Sequence, residues 1–448
     1  MVDRVSALPD DILVSLVSRL PLKEAVATSV LSRRWQNVGL STMTLRFDAV
    51  DFSIYNNLFP YFRQPKEFKE QESWKYIDWV NRVVQQHRGK HIEEFRISFC
   101  LDSRFSSSIN EWIQFAMENS VERLELDFYP EVFAGYEDYT FPHKLLGLCI
   151  PILGSCGYNI GFKSLKVLQI RHVGVTGEVL EYFLSNCPVL ERLSVTSTKD
   201  LVNLRVVGWS IALKYLVIEN CYILESIEIR DVNIVSFTYC GFNSRNLLIS
   251  NVPLLSEVTV SKRCCPKDYI RVVLTQLSCC LSNIEILKLH IQLGAGHNEN
   301  PVLPLLANLK HLELLVAANY YKALHHLNSF LKASPYLQRL SLTLQLYSER
   351  ACMGIGEIEK AADCPHNHLK VVEIVGYRAH KSGVELVMHL IKNGLGLEKI
   401  VIDPVRTGRY PHGADKPHTE LDEEVKARDH AKQYLEPKIP STVEFVCL

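Results

Sequence analysis

The chain has no charge imbalance, no long apolar run and no compact cysteine framework, and each absence removes a class of function. Lysine and arginine total 49 against 50 aspartates and glutamates in 448 residues, so no bulk field draws the protein toward phosphate backbones or anionic lipid. Nucleic acid is not an expected partner. The opening residues, MVDRVSALPDD, bring acidic side chains early and lack the run of about 7 to 15 apolar residues that marks a secretory signal. The most apolar window, LLGLCIPILG at 145–154, is roughly half of the ~20 residues a membrane span needs; it reads as interior packing, and no membrane is expected. Thirteen cysteines, scattered through apolar stretches, suit the reduced thiols of a cytoplasmic or nuclear protein, and no disulfides are expected.

The local signatures of phosphate cradling, zinc hydrolysis and nucleophile-elbow chemistry are missing as well. A Cys-His enzyme escapes such a search, because its partners meet only in the fold. Two stretches invite a metal: CPHNH, with Cys364, His366 and His368, and the adjacent pairs Cys264-Cys265 and Cys279-Cys280. Zinc thiolates normally sit two to four residues apart so that both wrap one ion, whereas neighbours on an extended chain point opposite ways. Cys364-Pro365 more simply repeats Cys187-Pro188 ahead of a strand. The expectation is no metal, no cofactor and no catalytic residue.

What the chain does have is a repeat. A six-residue pattern, apolar at positions one, four and six, recurs from Ile92: IEEFRI (92), VERLEL (121), LKVLQI (165), LERLSV (190), LKYLVI (213), VNIVSF (232), LSEVTV (255), IEILKL (284), LKHLEL (309), LQRLSL (337), LKVVEI (369) and LEKIVI (397). Most spacings match the period of leucine-rich repeats, which predicts parallel strands stacked into one curved wall. Positions four and six alternate inward, and positions three and five face out. Two further matches, LVNLRV (201) and LESIEI (224), follow main copies by 11 residues, too closely for a helix between, and are read as short strands on the outer side. Longer units hold helices there, as in GEVLEYFLSN at 177–186, with Val179, Leu180, Phe183 and Leu184 on one face. Proline enters several strands, in NCPVLERL, NVPLLSEV and ASPYLQRL, where it stops the preceding helix and forces the turn. Residues 128–163 read as an ill-matched repeat plus a surface insertion. SWKYIDWVNRVVQQH at 73–87 sets Trp74, Ile77, Val80 and Val84 on one helical face that caps the wall, and KEFKEQE at 66–72 reads as a solvated helix or loop.

The first block has a different period. In LPDDILVSLVSRLPLKEAVATSVLSRRWQNV (8–38), Pro9 with Asp10 and Asp11 suits a helix start, and Ile12, Leu13, Leu16, Val17 and Leu20 form an apolar face that ends at Pro21. A second segment carries Leu22, Ala25, Val26 and Val30, and a third carries Leu31, Trp35 and Val38. Three helices in about forty residues bury too little to stand alone.

This block resembles an F-box, in its leading Leu-Pro, the Leu-Pro between its first helices, and the closing VLSRRW. The C-terminal CPHNHLKVVEIVGYRAHKSGVELVMHLIKNGLGLEKIVID (364–403), with ARDHAKQYL and STVEFVCL beyond it, resembles the FBD region of a plant F-box and leucine-rich-repeat family. The resemblance implies an α/β fold, a three-helix F-box followed by a leucine-rich-repeat solenoid with helices and short strands on its convex side. Its domains are the F-box at 4–50, a helical linker and cap at 51–90, repeats at 91–363 and the FBD region at 364–448. It implies the substrate receptor of an SCF-type cullin-RING ubiquitin ligase, with a Skp-type adaptor, and through it cullin and RING subunits, as partners. The positions carried over as adaptor contacts are Leu8, Pro9, Ile12, Leu13, Leu16, Leu20, Pro21, Val26 and Leu31, while Trp35 is expected to lock the helices together. The alternative is a repeat scaffold that forms no ligase.

A protein substrate of unknown identity is expected on the outward strand positions: Arg123, Glu125, Arg192, Ser194, Tyr215, Val217, Ile234, Glu257, Thr259, Lys288, His311, Glu313 and Arg339. Signs alternate along this surface around an apolar centre of Tyr215, Val217 and Ile234, a pattern that suits a protein better than a polyanion.

Overall fold

The structure is a computed structural model that describes residues 5–49, 64–129, 137–143, 162–241, 246–262, 269–293, 303–317, 320–345, 363–406 and 418–448. The LLGLCIPILG window, most of the insertion expected at 128–163, and the Cys264-Cys265 pair lie outside the described residues. The chain forms two compact units, Met1–Asn233 with Asn243–Leu248, and Ile234–Phe242 with Ile249–Leu448.

The first unit opens with α1 (Asp10–Val17), α2 (Leu22–Ala27), a 3-10 turn (Thr28–Val30) and α3 (Arg33–Gly39). A parallel sheet follows, in the order β1 (Thr44–Asp48), β2 (Glu94–Phe99), β3 (Arg123–Phe128), β4 (Val167–Arg171), β5 (Arg192–Thr196) and β7 (Tyr215–Glu219). Helices α4 (Lys66–Gln86), α5 (Ser106–Glu118) and α6 (Gly177–Asn186) connect its strands. Strands β6 (Asn203–Val207) and β8 (Ser226–Arg230) pair in parallel in a separate outer sheet, where the close spacing placed them. In α6 the four apolar side chains named above are buried together.

The sheet begins earlier than the expected boundaries, because β1 lies inside the span assigned to the F-box and pairs with β2 from Thr44↔Glu94 to Asp48↔Ser98. Its hexad, TMTLRF, has threonine at position one. Thr42 is buried and hydrogen-bonded to Ser18 at 3.2 Å, so a satisfied hydroxyl fills the apolar slot. Helix α4 therefore completes the first repeat and is not a terminal cap, and KEFKEQE forms its first turns. Trp74 is exposed on it. The buried aromatic is Tyr76, whose hydroxyl donates to the Phe47 carbonyl at 2.6 Å and whose ring stacks on Phe99 at 4.2 Å.

The second unit holds β9 (Ser236–Gly241), β11 (Glu257–Lys262), β12 (Ile286–Leu293), β13 (His311–Ala317), β14 (Arg339–Gln345), β15 (Val371–Val375), β16 (Lys399–Asp403) and β17 (Glu444–Cys447) in one parallel sheet. The short strand β10 (Asn246–Ser250), whose first three residues belong to the first unit, buries Leu247 and Ile249. The unit also holds helices α7 (Tyr269–Gln276), α8 (Tyr320–Ala333), α9 (Lys381–Asn393) and α10 (His418–His430), the last continued by a π-helical segment (Ala431–Leu435) and a 3-10 turn (Glu436–Lys438). Arg378, itself buried, pairs with buried Glu420 of α10 at 2.5 Å and donates to the Tyr377 and Pro404 carbonyls. A charge so enclosed persists only when its hydrogen bonds are met, so this set ties α10 to the turn after β15.

Three repeats enter their strands by the same local chemistry. Leu190, Leu255 and Leu337 donate to the carbonyls of Cys187, Val252 and Ser334, which puts Pro188, Pro253 and Pro335 second in a four-residue turn, where their fixed φ fits. At the strand exits His172, Ser197 and Asn220 adopt φ of 54°, 57° and 54°. Gly376 does the same after β15 with φ 75°, where a Cβ would meet the Leu344 carbonyl at 2.6 Å.

One repeat shifts register. Phe237 pairs with Val258 and Tyr239 with Val260, so the sixth hexad is IVSFTY from 234, two residues later than VNIVSF. Ile234 is the entry residue and fully buried, not an outward one. Strand alternation makes both frames apolar at positions one, four and six, and a slip of two keeps every side chain on its face. The start now stands 21 residues after the copy at 213 and 21 before the copy at 255. Ile234→Ala is therefore expected to cost about 2–5 kcal/mol, and Ser236→Ala no more than about 0.5 kcal/mol. Denaturant unfolding of the two variants checks this, and the opposite order would restore the earlier frame.

Candidate functional site

The N-terminal helices divide their apolar residues into two stripes one residue step apart on α1. Leu13 and Val17, with Ala25 and Val38, make a closed core against which Leu8, Val14 and Trp35 pack. Ile12, Leu16 and Leu20, at four-residue intervals, lie on the other stripe and are exposed, the first two at 45%. Val26, Val30 at 84% and Leu31 at 64% add to the exposed apolar set. A module this small shares one helix between its own core and an open surface.

This corrects one residue of the expected set and adds another. Leu13 is 0% exposed and serves the internal core, because a 100° step separates it from Ile12. Val30 belongs to the apolar residues of the second segment together with Leu22, Ala25 and Val26. The α-helix ends at Ala27 and the 3-10 turn that follows has fewer residues per turn, so Val30 leaves the face on which Leu22 and Ala25 are buried. Pro9 and Pro21 are exposed and precede α1 and α2 as their caps. Leu20 and Pro21 also line a cleft of about 630 Å³ with Arg19, Thr44, Arg46 and Glu94.

Three side chains hold the exposed stripe in place. Ser32 caps α3 by accepting from the Trp35 amide at 3.3 Å. The Trp35 indole donates to Ser6 Oγ at 2.8 Å, so Trp35 packs the core and fixes the leading arm. Arg34 donates to Asp10 at 2.7 Å and to the carbonyls of Ser6 and Leu8, a forked reach that lysine cannot copy. The motif VLSRRW shows why these residues follow one another, but not that Arg34 reaches back 24 to 28 residues. Ser18 joins the module to the first repeat: its hydroxyl donates to Val14 O at 2.7 Å and accepts from the Met43 amide at 2.8 Å, and α2 packs on β1.

The second surface is the sheet face away from the core. All its expected residues face that way except Ile234, so the apolar centre shrinks to Tyr215 and Val217. In the first unit the charges largely pair with one another. Arg46 meets Glu94 through two bonds of 2.8 and 2.6 Å, and Arg96 lies 2.9 Å from Asp48 and 3.6 Å from Glu125. Arg123 reaches Glu125 at 3.5 Å, and Arg171 reaches Asp127 at 3.5 Å.

In the second unit Lys288 pairs with Glu257 at 2.9 Å and Arg339 with Glu373 at 2.7 Å. The His290 hydrogen bond at 3.0 Å holds the Glu313 carboxyl below its usual range. Burial, then Arg339, pushes His311 down, so it is neutral near pH 7. Thr259 shares this face.

The tempting chemical groups have other employment. His366 accepts from the Leu369 amide at 3.0 Å and lies 2.9 Å from the Ser334 carbonyl, so both ring nitrogens serve the backbone. Burial pushes the thiols of Cys187 and Cys280 up to about 12 and that of Cys221 to about 11, away from thiolate reactivity. Among the described residues no cluster of three or more His, Cys, Asp or Glu forms a metal site.

A family model described as the leucine-rich-repeat domain of At1g61320/AtMIF1 matches residues 83–448, and an F-box domain model matches residues 5–42. The F-box/FBD/LRR-repeat protein At5g22700 of Arabidopsis thaliana is 26% identical over 425 residues, covering 89% of this chain and 92% of the relative. FBD-associated F-box protein At4g10400, from the same plant, is 25% identical over 417 residues, with coverage of 89% and 92%. A third, putative F-box protein At3g29830 of Arabidopsis thaliana, is 29% identical over 282 residues, 57% of this chain and 56% of its own length.

The two stripes of α1 are expected to respond differently to truncation. Leu13→Ala should cost about 2–5 kcal/mol in thermal or denaturant unfolding, while Leu16→Ala should stay within about 0.5 kcal/mol.

Proposed function

The chain belongs to the family of the At1g61320/AtMIF1 leucine-rich-repeat domain and carries an F-box domain, and from that premise we propose that it is the substrate-recognition subunit of an SCF-type cullin-RING ubiquitin ligase. The observation that carries this reading is the exposed apolar stripe of Ile12, Leu16, Leu20, Val26, Val30 and Leu31 over a core that is already closed. Exposed side chains of this size, clustered on a rigid element, are what a protein partner buries, at roughly 1.5 to 3 kcal/mol each before association costs. The partner is a Skp-type adaptor, with Pro9, Pro21 and the outer edge of Leu8 at the rim. Cullin and RING subunits join through the adaptor, and other subunits perform ubiquitin transfer, so the chain acts without catalytic residues of its own.

The repeats hold the substrate, a protein, on the sheet face away from the core. A reducing compartment, cytoplasm or nucleus, suits a chain whose described cysteines are all free.

Co-expression with a Skp-type adaptor and cullin, followed by pull-down, tests the assignment. Wild type is expected to retain both proteins. Leu16→Asp with Leu31→Asp is expected to lose them without lowering the unfolding midpoint, because neither residue belongs to the core. A wild-type chain that captures no adaptor would contradict the ligase reading and leave a scaffold without a ligase.

A further inference from the structure

On the outward face of β1 to β4 each of four arginines has an acidic partner, Arg46 with Glu94, Arg96 with Asp48, Arg123 with Glu125 and Arg171 with Asp127. The next strand breaks the pattern. Arg192 of β5 has no carboxylate within 4.0 Å among the described residues. Its guanidinium lies instead over the Tyr215 ring, 4.2 Å from the centroid. The nearest acid in sequence, Glu191, is taken by Lys214 at 2.7 Å. Glu219 sits opposite Thr196, at the far end of the strand pair, about 13 Å along the sheet at 3.3 Å per residue.

The neighbours of Arg192 are also unusual for this face. Val167 on β4 and Tyr215 on β7 stand directly beside it, with Gln169, Ser194 and Val217 one position on. Stacking on tyrosine fixes the plane of the guanidinium and leaves its edge donors for another group. Apolar neighbours on both sides limit competition from water, which strengthens a charge-assisted bond made there. Arginine and tyrosine are among the residue types that most often dominate binding energy.

We propose that Arg192, held on Tyr215, anchors a carboxylate of the protein substrate, an aspartate or glutamate whose apolar neighbours pack on Val167, Tyr215 and Val217. The inference rests on the reading that the repeats hold substrate, and it narrows that substrate to a segment with an acidic residue flanked by apolar ones. The ion pairs on β1 to β4 leave little charge there to attract such a segment. The acid is drawn to a cation that has no carboxylate partner among the described residues.

The test probes the full chain with an array of synthetic peptides, each with a central aspartate or glutamate between varied apolar residues and each matched by its asparagine or glutamine form. Wild type is expected to retain acidic members about 10- to 100-fold more tightly than their amide forms, the scale of a hydrogen bond to a charged group. Arg192→Ala should erase the difference, Tyr215→Phe should keep it, and Arg192→Glu should turn the preference toward lysine and arginine in a matched basic series. Absence of any acid preference, or a preference that survives Arg192→Ala, overturns the proposal. Adaptor capture is measured on the same preparations and should be equal in all four proteins. Its loss from the wild type would count against the ligase reading and not against the Arg192 site.

Discussion

The described repeats depend on one packing constraint: a strand must send two side chains inward, two positions apart, while a third group closes the turn that enters it. Leu193 and Val195 on β5, with Leu190 at the entry, are typical, and all three are essentially fully buried. With those three positions fixed, the residues between them are free to vary, and they form the face of the sheet turned away from the core. Thr42 shows that the entry position needs a filled volume with its polar atoms satisfied, and not an aliphatic side chain as such.

The N-terminal module obeys a different constraint. Four buried side chains make its core, too few to exhaust the apolar residues of its three short helices, so one stripe of α1 remains outside. The hydrogen bonds of Ser18, Arg34 and Trp35 then have a purpose beyond stability: they hold that stripe, the leading arm and the first strand in a fixed relation. A docking surface that is already ordered loses less entropy when its partner arrives. On the sheet, the same economy appears in the ion pairs of β1 to β4, where neutralised charges leave Arg192 as the distinctive group.

Much of this was legible in the sequence because period-two and period-3.6 patterns are distinct. The inward pairs of β2 to β5 and of β11 to β16, the outer strands β6 and β8, and the buried face of α6 all lie where those periods put them. What the pattern could not resolve were choices between equivalent frames. Ile234 and Val232 each head an apolar hexad, and only pairing with β11 distinguishes them. Ile12 and Leu13 are adjacent on an apolar helix, and only the position of α3 decides which faces in. Trp74 yielded its expected place to Tyr76, whose hydroxyl could reach a backbone acceptor. Long-range pairs such as Arg34 with Ser6, or the place of Arg192 on Tyr215 in place of a carboxylate, leave no periodic trace at all.

On the proposed reading, the inner stripe of α1 completes the protein's own core while the outer stripe is left for an adaptor. Amide hydrogen exchange of the full chain, measured with and without a Skp-type adaptor, tests it most directly. Added protection is expected in α1, α2 and the 3-10 turn that carries Val30, with the exchange of the strand cores unchanged. Equal exchange throughout the helices in the two samples, or protection that appears only on the strands, would contradict it.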